Sequence, residues 1–274
     1  MGKRLNKNKI FITGGTGFLG KNLIPKLISF GYEIIATTRQ IDALSIYKNP
    51  KLKWVSKSLN NLQKEDFEDA YSLIHLASHK TNPPYDELSK YLKVNCNDSI
   101  RMISLASSLG IKNFTITGTA FEYGESSNNF QYIPTNAPLI PIGSYPTSKV
   151  MSFYMFKELA KELNISISYE RIFQVFGEGE AKNRFWPSLK KAALKGEDFS
   201  MTKGDQVRDF ININDATKLL IINHKNNLEL NTKFKVGHIA SGNGQSLLSF
   251  AEYWWQHFNA KGKLLPGHRP ARPN

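Results

Sequence analysis

The sequence predicts an α/β protein: a doubly wound parallel sheet with helices on both faces, and a smaller C-terminal lobe interleaved with it. Three observations predict it. The apolar run Ile10-Phe11-Ile12 breaks into Thr13-Gly14-Gly15-Thr16-Gly17-Phe18-Leu19-Gly20 and then opens an amphipathic helix. A second apolar run, Glu33 to Thr37, follows at the distance that a βαβ unit over residues 9–39 requires. Strand-like and helix-like segments then alternate as far as residue 172, the pattern of parallel strands joined by crossover helices.

The glycine-rich turn is justified by what it can hold. Glycines let the backbone turn tightly and approach a ligand with no Cβ in the way, and the N–H groups of the following helix face negative charge. That is how a dinucleotide pyrophosphate is bound, and Gly14, Thr16, Gly17, Phe18, Leu19 and Gly20 are the candidate contacts. The second strand ends in Thr37-Thr38-Arg39. An acidic residue at that tip would bind the ribose 2′-hydroxyl of NAD; a guanidinium and hydroxyls suit a 2′-phosphate. NADP(H) is therefore expected over NAD(H), with Thr38 and Arg39 at the phosphate.

Residues 52–55 read as a third strand and 71–76 as a buried fourth. A helix is expected over 86–109, closed by Gly110, then a fifth strand at 114–117. A helix over 144–163 and a sixth strand ending at 172 complete the series. Past Phe173 the loops lengthen, and helices at 215–226 and 247–258 flank a strand at 234–239. We expect a dinucleotide-binding domain of residues 1–172, rejoined by 211–240. Residues 173–210 and 241–274 form the substrate lobe, expected over the carboxyl ends of the strands.

Composition narrows the function. With 274 residues, 41% hydrophobic and 12% aromatic, the chain can bury a full core. No run approaches the roughly 18 apolar residues that cross a bilayer, and Met1-Gly2-Lys3-Arg4-Leu5-Asn6 has neither a signal-peptide core nor a myristoylation site. A single cysteine, Cys96, excludes an intramolecular disulfide and a cysteine-based metal site, so no metal is expected and a reducing cytoplasm is. The net charge of +13 raises nucleic acid or anionic small molecules as partners. The lysines are scattered, with no block beyond Gly2-Lys3-Arg4 and Lys190-Lys191, which argues against nucleic acid.

The second informative cluster is Tyr145-Pro146-Thr147-Ser148-Lys149. A Lys four residues after a Tyr lies about one helical turn from the phenol, and its charge is expected to lower the phenol pKa from about 10. That makes Tyr145 a candidate general acid/base, with the Thr119 hydroxyl at the preceding strand end sharing the same substrate oxygen. Tyr47 and Lys51 repeat the spacing, but with Pro50 between them and in a loop. Pro146 puts Tyr145 at the helix entrance.

These residues resemble the extended short-chain dehydrogenase/reductases, the NAD(P)-dependent epimerase/dehydratase group acting on nucleotide sugars, over nearly the whole chain. Thr13 to Gly20 looks like that family's TGxxGxxG turn, and His75-Leu76-Ala77 like its fourth-strand end, which places Leu76 and Ala77 beside the cofactor. Asn95 looks like the helix Asn supporting the active site; Thr119, Tyr145 and Lys149 look like the catalytic hydroxyl, acid/base and lysine. Arg171 to Gly177 resembles RxxNVYG, with Gln174 in place of the usual Asn as a substrate contact. Arg208 to Asp215 resembles RDFIxVxD, whose Arg binds the sugar-nucleotide pyrophosphate, and Arg272 is the candidate for a second phosphate contact. Relatives continue into a further helix there, so the chain reads as truncated.

The resemblance implies a Rossmann-like fold, a homodimer formed by the helices of 86–109 and 144–163, and Lys149 bonded to the nicotinamide ribose. Ala120 and Phe121 stand where 4,6-dehydratases carry an acidic pair, which argues against dehydration. The expected activity is NADPH-dependent reduction of a nucleoside-diphosphate 4-keto-6-deoxyhexose. Hydride goes to C4, Tyr145 gives the proton and Thr119 polarises the carbonyl. The same residues serve a 4-epimerase. A non-catalytic dinucleotide-sensing or RNA-binding regulator is the alternative of another class, and the full Thr119/Tyr145/Lys149 set speaks against it.

Overall fold

A computed structural model of the chain describes residues 5–39, 47–230 and 233–270. In chain order it runs β1 (Asn6–Thr13), α1 (Phe18–Ser29), β2 (Glu33–Thr38), β3 (Leu52–Ser56), β4 (Ala70–His75) and α2 (Leu88–Tyr91). Next come α3 (Ser99–Ser108), β5 (Asn113–Thr119), α4 (Ser144–Glu162) and β6 (Ser166–Ile172). The remainder is β7 (Gln174–Phe176), α5 (Phe185–Lys195), β8 (Phe199–Met201), β9 (Val207–Asn212) and α6 (Ile213–Leu230). It closes with β10 (Phe234–Ile239), β11 (Gly244–Ser246), α7 (Leu247–His257) and β12 (Leu264–Pro266). The chain divides into two units, Met1–Ile172 with Thr217–His238, and Phe173–Ala216 with Ile239–Asn274.

The first unit is built on a seven-stranded sheet of order β10-β6-β5-β4-β1-β2-β3, its pairs from β3 to β6 parallel. This is the doubly wound Rossmann-like sheet that the alternation predicts, and the strand order reverses between β1 and β4. Side chains alternate across each strand. Phe11, Leu73, Phe114, Ile116 and Ile167 point to one face, where Met102, Ile103 and Ala106 of α3 and Phe153 and Phe156 of α4 close the core. Full burial of such side chains stabilises by about 1.5–3 kcal/mol each.

The opposite face meets α6 through polar groups. His224 sits between the Ser72 and Thr115 hydroxyls, at 3.0 and 2.8 Å, and Asn227 donates to the Phe114 carbonyl at 3.0 Å. Asn223 reaches the buried Glu170 carboxylate at 2.8 Å. Each buried polar atom here has a partner, which removes the desolvation cost that an unpaired one would carry.

The helix expected over 86–109 is wound in three parts: α2, a π-helical stretch Leu92–Asp98, and α3. Side-chain demands explain the widened turns. Ser99 Oγ donates to the Val94 carbonyl at 2.9 Å, and the Asn95 carbonyl accepts from Ser152 of α4 at 3.0 Å. π-turns of this kind gather at functional sites.

In the second unit, β9 pairs with β7 in parallel and with β11 antiparallel, and β8 pairs with β12. Leu189, Ala192, Phe199, Met201, Ala251 and Trp255 form one core; Phe176, Trp186, Phe210 and Phe250 form another, with the Phe210 and Phe250 rings stacked at 4.0 Å. Among the described residues, no helix is long and apolar enough to cross a membrane.

Candidate active site

The glycine turn leaves the carboxyl end of β1 beside the end of β4, the point where open α/β sheets take ligands. Gly14 has φ +72°, and a Cβ on it would lie 2.9 Å from the Ala77 nitrogen. A Cβ on Gly20 would lie 2.6 Å from the Gly15 carbonyl oxygen, so only glycine lets α1 begin against the turn. Gly17 caps α1 with no side-chain hydrogen bond, and no acidic residue stands in the first turn, where Phe18 and Leu19 lie. The N-terminal N–H groups thus meet no carboxylate from their own helix. A backbone cradle that a Cβ would fill, at a helix start with no side-chain cap, fits a dinucleotide pyrophosphate.

Hydrogen bonds hold the neighbouring segments to this turn. Thr13 Oγ1 lies 2.7 Å from His75 Nδ1 and accepts from the Ala77 N–H at 3.2 Å, and the Leu76 N–H donates to the Thr13 carbonyl at 3.3 Å. Thr16 Oγ1 is 3.1 Å from Thr38 Oγ1, linking the turn to the tip of β2. Arg39 follows, exposed. Gly14, Thr16, Gly17, Phe18, Leu19, Gly20, Thr38, Arg39, Leu76 and Ala77 therefore gather at the carboxyl ends of β1, β2 and β4.

Thr119 ends β5 and caps the single 3-10 turn Ala120–Glu122: its Oγ1 accepts from the Phe121 N–H at 3.3 Å, while the Glu122 carboxylate accepts from the Thr119 N–H at 2.8 Å. Tyr145 is the second residue of α4, and Pro146 falls in the first turn, where its missing N–H costs nothing. The Tyr145 ring is buried, 5.7 Å from that of Tyr85 and 5.9 Å from that of Tyr91, and Thr119 acts electrostatically on its hydroxyl. Lys149, also buried, donates from Nζ to the Thr117 carbonyl at 2.7 Å.

The electrostatics correct one expectation. Burial holds the Tyr145 phenol above its ordinary value, the Glu122 carboxylate adds to that, and Thr119 only partly opposes them. Lys149 is itself drawn below its ordinary value by burial, against the pull of Glu122. Desolvation dominates at both groups, and the Lys149 ammonium that the Tyr-x-x-x-Lys spacing brings is bonded to the Thr117 carbonyl. The Tyr145 phenol is thus held above its ordinary value, not lowered as the spacing alone predicts.

Asn95 sits in the π-helical stretch and is buried. Its Nδ2 donates to Ser148 Oγ at 2.9 Å, and its Oδ1 accepts from Ser78 Oγ at 3.1 Å and the His79 N–H at 2.9 Å. Ser148 in turn donates to the Tyr145 carbonyl at 2.7 Å. Asn95 clamps the loop after β4 to the first turn of α4. Gln174 and Arg208 lie in the second unit. The register pairs Gln174 with Phe210, so Gln174 and Arg208 share one face of that sheet, and Arg208 Nη1 donates to the Val207 carbonyl at 2.7 Å. Asp209 accepts from the Ser241 and Gly242 N–H groups at 2.7 Å each. Arg272 lies outside the described residues.

Sequence reasoning assigned no role to the buried acid beneath Thr119. Thr119 and Glu122 have the T-x-x-E spacing of a capping box, the one local signal that marks it.

A family model described as "NAD dependent epimerase/dehydratase family" matches residues 10–237. A CDP-abequose synthase from Salmonella typhimurium is 26% identical, covering 95% of this chain and 82% of that protein. A putative UDP-glucose 4-epimerase from Methanocaldococcus jannaschii is 27% identical over 80% of this chain and 75% of its own. Among solved structures, MoeE5 in complex with UDP-glucuronic acid and NAD superposes with a TM-score of 0.81 at 20% identity, covering 94% of this chain and 85% of that one.

Proposed function

The chain belongs to the NAD dependent epimerase/dehydratase family of enzymes, and from that premise we propose that it is an NADPH-dependent reductase of a nucleoside-diphosphate 4-keto-6-deoxyhexose. The observation that carries the reading is the buried Thr119–Tyr145 pair, with its phenol held above its ordinary value, next to Ala120 and Phe121 in place of acidic groups. A ketone reduction needs a proton at the carbonyl oxygen, and a protonated phenol provides it. When bound, a reduced nicotinamide would supply a hydride for C4. Tyr145 gives its proton to O4 as the carbonyl becomes an alcohol and regains one from solvent, while Thr119 holds the same oxygen. Lys149 binds the nicotinamide ribose, and Asn95 supports the site through Ser148. Gln174, Arg208 and Arg272 are assigned to the substrate, the two arginines to its phosphates. The 26% identity to a CDP-abequose synthase supports a net reduction.

The cradle of Gly14, Thr16, Gly17, Phe18, Leu19 and Gly20, flanked by Leu76 and Ala77, holds the pyrophosphate, and Thr38 and Arg39 select the 2′-phosphate of NADP(H) over NAD(H). In a screen of nucleotide sugars we expect stoichiometric NADPH loss, with kcat/KM for NADPH at least about tenfold above that for NADH and a reversed preference in Arg39→Asp. Isomerisation without net redox change would replace the reductase with a 4-epimerase, the reading that the 27% identical relative favours. An unaltered preference in Arg39→Asp would remove Arg39 from cofactor selection.

We assign the protein to the reducing cytoplasm, which suits its single cysteine. We also propose that it works as a homodimer, paired through the helices of 86–109 and 144–163, where Met151 and Tyr154 are exposed apolar side chains of α4. Light scattering is expected to give twice the single-chain mass; 31.0 kDa, the mass of one chain, would refute the dimer.

A further inference from the structure

Beneath the Thr119–Tyr145 pair lies a buried ion pair that this reaction does not itself require. Arg171 of β6 and Glu122 are 1% and 0% exposed, with Nε donating to Oε2 at 2.7 Å. The guanidinium lies between the rings of Phe153 and Tyr123, at 4.6 and 4.7 Å, and Nη1 donates to Tyr123 Oη and the Thr135 carbonyl, each at 2.9 Å. Tyr123 Oη is held from its other side by His238 Nε2 at 2.6 Å. Glu122 Oε1 accepts from Tyr169 Oη and from the Thr119 N–H, both at 2.8 Å. Gly118 makes room for this: a Cβ there would lie 2.5 Å from Glu122 Oε1.

Two buried charges gain little stability over an apolar pair of the same volume, because desolvation consumes the attraction. Their cost points to a use. Glu122 is the one group among them that touches the Thr119 backbone and acts electrostatically on both Tyr145 and Lys149. We propose that Glu122 is the positioning residue of the site: braced by Arg171 and Tyr169, it fixes the Thr119 backbone at the end of β5 and sets its carboxylate to act on Tyr145 and Lys149. This rests on the reading of Tyr145 as the acid. The groups facing Tyr145 are Glu122 and Thr119 from the β5 turn, and Tyr85 and Tyr91 from the segment through α2. Those facing Glu122 are Arg171 and Tyr169 of β6, the Thr119 N–H and, on α4, Lys149.

The test follows the Tyr145 signal in full-length protein carrying [13Cζ]tyrosine, with NADP+ added and the signal identified by its loss in Tyr145→Phe. In Glu122→Gln, phenolate is expected at least about one pH unit earlier than in the unaltered protein, whereas Glu122→Asp, which keeps the charge, stays near it. Should Glu122→Gln fail to fold with Arg171 unpaired, Glu122→Gln combined with Arg171→Met leaves no lone buried charge and must show the same early onset. An identical onset in the variant and the unaltered protein, or no ionisation in either, overturns the proposal, as does failure of both variants to fold. The two readings fail separately. Full turnover in Tyr145→Phe sinks the acid assignment, while a dead Tyr145→Phe with an unmoved Glu122→Gln onset sinks only the role of Glu122.

Discussion

Tyr145→Phe is expected to lower kcat on the best nucleotide sugar by about a hundred- to ten-thousand-fold while leaving the fold and dinucleotide binding in place. The substitution removes one oxygen from a ring already packed between Tyr85 and Tyr91, so the buried volume hardly changes. What disappears is the hydroxyl beside Thr119 and the proton it carries. Thr119 still caps its turn through the Phe121 N–H, and Lys149 keeps its bond to the Thr117 carbonyl. Steady-state kinetics with NADPH, alongside cofactor binding measured by calorimetry, separates chemistry from binding. A loss below about threefold would show that the proton comes from elsewhere.

Acid is expected to unfold the protein well before its carboxylates alone would. His75, bonded to Thr13 and Ser99, is pushed from 6.5 down to about 3 by burial and then by the Lys149 charge. His224, between Ser72 and Thr115, is pushed from 6.5 to about 4 by burial alone. Both are neutral in the folded chain at pH values where the unfolded chain has already protonated them. Below pH 6.5 the unfolded state therefore binds more protons, and stability falls with pH until each folded value is passed. Every tenfold loss of proton affinity on folding corresponds to about 1.4 kcal/mol, so the two imidazoles together remove several kcal/mol by pH ~4, from a total of order 5–15 kcal/mol. Glu170, raised by burial, acts in the opposite sense above 4.5 and offsets part of this. Urea midpoints measured from pH ~7.5 down to ~4.5 should decline steadily below 6.5, less steeply in His224→Gln. A flat profile would mean that neither imidazole is kept neutral by burial in the folded state.

Much of the fold is legible in the sequence because its signals are local. The Ile10 run, the glycine turn and the Glu33 run lie within one βαβ unit, and each strand's apolar alternation is visible from its own residues. Thr119, Tyr145 and Lys149 are recognised by spacing and by position after a strand. What the sequence hides depends on distant partners. The winding at Asn95 answers to Ser148, 53 residues on, and the Glu122 carboxylate to Arg171, 49 residues on. The phenol of Tyr145 moves up rather than down because a neighbouring charge is written in the spacing, whereas burial is a property of the whole packed unit. Gln174 and Arg208 show their common face only once the β7–β9 register is known.

The three-part winding of residues 88–108 means that no single helical wheel describes this rod. An α-helix turns about 100° per residue, and over Leu92–Asp98 that arithmetic is suspended, so faces counted from Leu88 do not continue past Ser99. Cysteine pairs or cross-linkers designed along it have to be phased separately for each end. A deletion that restored uniform coiling would swing the Asn95 amide off Ser148 and unlatch the loop that follows β4.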